Sequence, residues 1–249
     1  LSAYTGSTRV EGANLAFKTD NAFGKTASLY MDGQSKVDLR GHSQTIGGLS
    51  GVEGAVLSLG ADSVSTGRLV VNQSADTDFG GVLAGYGELQ KLGSGRLTLS
   101  GSNSLRGETD IRAGSLVVQG GLGSGRVGVR NNASLGIFGG GLVEGDVEVA
   151  GGGALILGNG GTIGGDLSMA ENAVIAARSD NAALKVNGAV NLAEGLQLQL
   201  RGSNWTTGSY DLLAPAGPAD IVGFSGVYVP GFMEEYSVVS QGDKLVLRY

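Results

Sequence analysis

Gly93 to Val118 reads GSGRLTLSGSNSLRGETDIRAGSLVV. Two short runs alternate apolar and polar residues, Leu97/Leu99 and Leu116/Val118. Between them lies a polar, glycine-punctuated bend with one further apolar residue, Ile111. Alternation of this kind signals a half-buried strand, and glycine supplies the backbone freedom that tight bends need. The stretch therefore predicts strand, turn, strand, with nothing helical. Its bend recurs upstream: YTGSTRVEGANLAF (Tyr4 to Phe17) aligns without gaps on LRGETDIRAGSLVV (Leu105 to Val118), placing Gly6 on Gly107, Thr8 on Thr109, Val10 on Ile111 and Leu15 on Leu116.

Composition narrows the class. The 249 residues include 47 glycines and 3 prolines, yet 41% are hydrophobic. A disordered chain lacks aliphatic residues in such quantity, and collagen needs glycine at every third position with abundant proline. Many short strands joined by glycine turns, an all-β chain, is what remains. The net charge of −6 is spread out with no basic run, which excludes nucleic acid and an anionic membrane as expected partners. There is no cysteine, so the sequence offers neither a disulfide framework nor thiol chemistry. No apolar run reaches the roughly 18 residues of a spanning helix. Leu1 opens in mid-repeat without a signal-peptide pattern and reads as the start of a fragment of something longer.

Taken in order, SLYMDGQSKVDLRGHSQTIGGLSG (Ser28 to Gly51) pairs Leu29/Met31 with Val37/Leu39 around an Asp32-Gly33 turn. The same apolar gaps of two, six and two return at Val127, Val129, Leu135, Ile137 and at Val147, Val149, Leu155, Leu157. A Gly-Arg-apolar opening recurs at Gly67, Gly95 and Gly125. Downstream, Gly125, Gly145, Gly165 and Gly188 each begin a Gly-x-apolar-x-apolar strand at steps of 20, 20 and 23 residues. Self-similarity at this period, built of short strands and glycine turns, is the mark of a β-solenoid. Stacked coils pair each strand with its copies at about 4.8 Å, and inward Leu, Val and Ile form ladders. The variable step favours a right-handed parallel β-helix over a strictly periodic solenoid. Beyond residue 200 the texture changes: all 3 prolines lie there, with Trp205, Tyr210 and other aromatics. YDLLAP, YSVVS and KLVLRY read as antiparallel strands of a cap closing an otherwise unpaired end.

These residues carry a resemblance. Gly87 to Val118 resembles the passenger-associated transport repeat of bacterial autotransporters, the type V secreted surface proteins. Lys91, Gly93, Gly95, Leu97, Leu99, Gly101, Gly107, Thr109, Gly114 and Leu116 fall on its pattern. Residues 4–51 are similar to a second copy beside the one at 87–120, residues 122–200 resemble pertactin-like coils, and residues 201–249 resemble the cap of such passengers. The resemblance implies a stem over 1–200 and an autochaperone cap over 201–249. It also implies an upstream effector domain and a downstream outer-membrane β-barrel in the same precursor, and a location at the bacterial surface or outside the cell. On this reading the piece is a non-catalytic monomer that helps secretion and displays the effector. It could also contact a host surface or a neighbouring passenger.

Candidate chemistry is sparse, and no catalytic, cofactor or metal residue is assigned. Asp76 and Asp78 are the nearest approach to a carboxylate pair, but they flank Gly80-Gly81 and read as a polar turn. His42, the single histidine, sits in a Gly-His-Ser-Gln turn and reads as surface. Gly123 to Gly128 matches G-x-G-x-x-G literally, yet it opens a strand and no helix follows to present its N-terminus to a phosphate. Gly160 to Asp166 departs from the calcium-binding nonapeptide at Ile163 and has Asp166 one place late. Trp205 reads as cap packing; its exposure beside other apolar groups would instead favour an interface. An adhesin or self-association module binding through the flank is the alternative, favoured by a contiguous aromatic or charged ladder. A polysaccharide-active enzyme would need an acidic cluster in a groove.

Overall fold

The computed structural model describes residues 5–24, 28–178, 182–201, 205–217, 219–221, 226–228, 237–241 and 244–248. Among these, strand is the sole regular structure, and the strands assemble into three long sheets of 11, 12 and 9 strands. Every step from one coil to the next is parallel except at the C-terminal end. The chain visits sheets 1, 2 and 3 in turn, making a β-solenoid of about 9 turns. The nine three-sided coils are numbered from the one that begins at Leu29. Coil 1 spans 29–46, coil 2 49–72, coil 3 77–92, coil 4 96–111, coil 5 114–129, coil 6 133–149, coil 7 154–169, coil 8 174–192 and coil 9 197–221.

The reason for stacking is visible in the registers. In sheet 1, Leu97 lies against Leu116, Leu116 against Leu135, Leu135 against Leu155, Leu155 against Ile175 and Ile175 against Leu198. In sheet 3, Val127, Val147, Leu167 and Val190 stack in the same way. All of these side chains are fully buried. Each is worth roughly 1.5–3 kcal/mol on burial, but only once a neighbouring coil covers it. Large residues are accommodated by local exchange of volume. Phe79 is the largest fully buried side chain, and its ring occupies the room left by Gly51 and Gly81, where a Cβ would approach it to 2.9 and 2.7 Å.

The two ends differ. Before coil 1, Thr8–Val10 joins sheet 1 and Asn14–Ala16 joins sheet 2. The third side is covered by Phe17 and Phe23, whose ring centroids lie 4.5 Å apart. At the other end Ser209–Pro215 pairs in parallel with coil 8 on one edge and antiparallel with Lys244–Arg248 on the other, and Ser237–Gln241 closes the sheet antiparallel. Of the three segments read from the sequence as antiparallel cap strands, YSVVS and KLVLRY fall in strands paired antiparallel, whereas YDLLAP lies in the sheet 2 strand of coil 9, parallel on its coil 8 edge and antiparallel on the other. The edge of a parallel sheet would otherwise stand open to further pairing.

Several local expectations need correction. Gly93 to Val118 is more than strand, turn, strand. The polar bend contains Ser102–Leu105 in sheet 2 and Glu108–Ile111 in sheet 3, so the stretch is a complete coil ending where Leu116 stacks on Leu97. The Gly-Arg openings mix two corners, since Gly67 and Gly125 enter sheet 3 whereas Gly95 enters sheet 1. The two-six-two gaps likewise run from sheet 1 to sheet 2 at Leu29–Leu39 and from sheet 3 to sheet 1 at Val127–Ile137. The gapless alignment of Tyr4–Phe17 on Leu105–Val118 matches a local pattern on different sides of the solenoid: Thr8–Val10 is in sheet 1 and Glu108–Ile111 in sheet 3.

Candidate functional site

The residues singled out for chemistry are scattered. His42 is part-exposed in a turn, its Nδ1 3.3 Å from the Asp20 carboxylate. Asp76 accepts the backbone N–H of Arg96 at 2.8 Å and pairs with that guanidinium at 3.2 Å, bridging two coils. Asp78 lies on the strand Thr77–Phe79 rather than in a turn, exposed on the outer face of sheet 1. The G-x-G-x-x-G match ends in the strand Arg126–Val129. Asp166 is occupied by the fold itself, accepting the Ala189 N–H at 2.7 Å, just as Asp146 accepts the Asp166 N–H at 2.8 Å. Trp205 is buried, edge-on to Tyr210 with centroids 4.8 Å apart, and its indole N–H donates to the Arg201 carbonyl at 3.2 Å. Its burial is that of a core side chain in the cap. Among the described residues no three metal-ligating side chains converge.

The structure does gather charge on the outer face of sheet 3. Parallel in-register pairing stacks outward residues of successive coils, so charges at equivalent positions meet. Arg68 pairs with Glu88 at 2.7 Å. Arg126 reaches Glu148 at 2.9 Å in the next coil and Glu108 at 3.4 Å in the preceding one. Asp110 is held between Arg112 and Arg130, each at 2.6 Å. Burial alone would raise the Asp110 carboxyl, but the bonds from the two guanidinium groups outweigh it and hold the carboxyl below its ordinary value. Hydrogen bonding to Glu148 and the charges of Glu148 and Glu108 raise Arg126 further above its usual value. The links of this contiguous charged ladder that join successive coils are between residues 18 to 22 apart, so no local sequence pattern marks them.

Two polar side chains are internal, one in sheet 3 and one in sheet 2. Lys91 is fully buried in the sheet 3 ladder between Val71 and Ile111. Its Nζ donates to the carbonyls of Leu92 at 2.8 Å, Gly93 at 3.0 Å and Ala113 at 3.3 Å. Burial pushes the Lys91 amine down to about 8, with the Asp76 carboxylate opposing. Asn103 stands in the sheet 2 ladder, and its neighbours in the same sheet include Leu122 of the next coil. Its Oδ1 accepts the Leu83 N–H at 2.9 Å, and its Nδ2 donates to the carbonyls of Gly101 and Gly121, both at 2.9 Å. The available sequence signal was the absence of an aliphatic residue where the ladder needs an inward one.

The passenger-associated-transport-repeat family model matches residues 89–118, from the strand carrying Lys91 to the strand that stacks on coil 4. The chain is a β-helix of the autotransporter passenger type. Two curated relatives are similar over part of it. An uncharacterized protein, YuaQ, of Escherichia coli K12 is 34% identical over 73 residues, which is 26% of this chain and 5% of the relative. The adhesin BmaC autotransporter of Brucella suis biovar 1 is 32% identical over 123 residues, which is 49% of this chain and 3% of that protein. The passenger β-helix therefore corresponds to a small fraction of each relative's length.

Proposed function

We propose that this passenger β-helix is a non-catalytic stem whose capped C-terminal end acts as an autochaperone. It holds an effector of the same precursor away from the bacterial surface after export through the outer membrane, and the precursor's β-barrel is its downstream partner. On this reading the stem takes residues 1–200 and the cap residues 201–249, so that the cap includes the later strands of coil 9. The observation that carries this reading is the change of sheet 2 from parallel to antiparallel pairing at Ser209–Pro215. That change gives the last coil a finished edge on which the preceding coils can stack. The aromatic packing of Trp205 on Tyr210 belongs to the same end and adds bulky core side chains there. Deleting Trp205 to Tyr249 in the full precursor tests it. The expected result is loss of folded, surface-displayed passenger; unchanged display of protease-resistant stem refutes the autochaperone role.

A second reading has its own support. The charged ladder on sheet 3 and the adhesin named among the relatives both favour a binding flank. Against it, the charges of that ladder are paired with one another along the solenoid axis. Adhesion or self-association that disappears in the full precursor when Arg68, Arg126 and Arg130 are replaced by Ser, with secretion intact, would put this reading ahead of the stem.

A further inference from the structure

The buried polar side chains of coils 3 to 5 do something that the aliphatic ladders do not. Coils 5 to 8 begin at steps of 19 to 21 residues, with Leu116, Leu135, Leu155 and Ile175 in one inward row. No buried polar side chain follows Ser124 among the described residues. Side chains alternate with a period of two, so a slip by one residue turns a strand inside out and is self-correcting, whereas pairing with a coil one place further on keeps every inward residue inward. Aliphatic coils are therefore poor judges of which neighbour they have met.

The polar coils discriminate. Leu83 N–H finds its acceptor in Asn103 Oδ1 at 2.9 Å, one coil on. Gly121 O finds its donor in Asn103 Nδ2 from the other side. Lys91 Nζ crosses to Ala113 O at 3.3 Å, and Gln73 Nε2 crosses to Arg96 O at 2.6 Å. Ser124 Oγ reaches back to Gly107 O at 2.9 Å. If coil 3 met coil 5 with coil 4 looped out, Leu83 N–H would face Leu122 and lose the Asn103 side-chain acceptor. Gly121 O would lose its Asn103 Nδ2 donor, and the buried Lys91 amine would keep Leu92 O and Gly93 O but lose Ala113 O. Buried backbone groups left unpaired are strongly disfavoured.

We propose that Lys91 and Asn103 form a register lock, which makes the segment from coil 3 to coil 5 admit its coils in one order only. Its contribution is to the choice among stackings rather than to the strength of any one of them, the role in which buried polar groups are best attested.

The absence of native cysteine makes the register directly readable by paired thiols in the full chain. Gln90 lies opposite Asp110 in the next coil, and Asp110 lies opposite Gly128 in the one after. A Q90C/D110C pair reports native order. A Q90C/G128C pair sits two rungs apart, beyond disulfide reach, and links only when coil 4 is skipped. After denaturation and refolding, the skipped-coil link is expected to rise roughly tenfold when K91M and N103L are added. L135A, a cavity in an aliphatic coil, should leave it at the parent level. Unchanged linkage in the K91M/N103L background overturns the proposal. Failure of that background to refold while L135A refolds also overturns it, because the two side chains would then serve stability and not order. Circular dichroism and protease resistance identify which of these holds.

Discussion

The corner where the chain enters sheet 3 carries glycine in coil after coil, and two of these glycines are expected to respond in opposite ways to the same change. At Gly145 an added Cβ would lie 2.5 Å from the Gly125 carbonyl oxygen and closer still to that of Ser124. Neither obstacle is a flexible side-chain end; both are backbone of the coil below. Relief needs a separation of the two coils by roughly 1 Å, which costs about 1–3 kcal/mol as overpacking. The same opening would stretch the neighbouring bond from Glu144 N to Leu122 O, now 3.0 Å, at a further cost of about 1 kcal/mol. G145A should thus destabilise the coil by about 2–4 kcal/mol. At Gly125 the nearest atom to an added Cβ is the Gly107 oxygen at 3.8 Å, an ordinary contact, and the backbone is outside the left-handed region. G125A should therefore be neutral or stabilising by about 0.4–1 kcal/mol through reduced freedom of the unfolded chain. Urea titrations followed by circular dichroism, with hydrogen exchange over residues 107–149 to localise the change, measure both. If the two alanines move the midpoint in the same direction by similar amounts, coil-to-coil backbone approach is not what selects glycine at this corner.

Three further outcomes follow from the same geometry. Lys91 titrates near 8 when buried and near 10.5 in an open chain, so the unfolded chain holds the extra proton between those values. Its contribution to stability grows as pH rises from 8 towards 10.5 and is lost as pH falls through 8. Relative to K91M, unfolding free energy should therefore rise by about 1–3 kcal/mol across that window in denaturant titrations, and a flat difference would contradict the burial argument. W205A should cost about 3–5 kcal/mol at the cap, read as faster hydrogen exchange over residues 209–215 with coils 2 to 4 unaffected. R126A removes an exposed link between Glu108 and Glu148 and should change stability by less than about 1 kcal/mol, an effect that fades in high salt.

The parts of the fold that sequence made legible are those where composition and period agree. Val127/Val129, Val147/Val149, Leu167/Met169 and Val190/Leu192, each introduced by glycine, are one uninterrupted stack in sheet 3. YDLLAP, KLVLRY and YSVVS announced the cap because aromatic and β-branched residues replaced glycine there. Coil 4 was harder to read. Its inward positions in sheets 2 and 3 include Asn103 and Thr109, so the alternation that marks a strand was missing from Ser102–Leu105 and weak in Glu108–Ile111. Buried polar residues satisfied within the stack, Asn103 by backbone groups and Thr109 by the Ser124 hydroxyl, look in one dimension like a solvated bend. The charged ladder was illegible for a related reason. Arg68 and Glu88, or Arg126 and Glu148, become neighbours only through pairing some 20 residues away, and no local pattern marks them. The side of the solenoid to which a strand belongs was also ambiguous, because corners into sheet 1 and sheet 3 both use Gly-Arg.

The coil length has a mechanical side. About 20 residues of extended chain measure roughly 66 Å, yet each added coil lengthens the body by only about 4.8 Å. A thread reeled onto this spool is taken up nearly fourteen times faster than the spool grows, on those rough figures. Pulled from one end, such a molecule should pay out line in jumps of about 60 Å, one winding at a time. A tip that winds in this way converts small increments of height into long strokes of traction on whatever thread has yet to arrive.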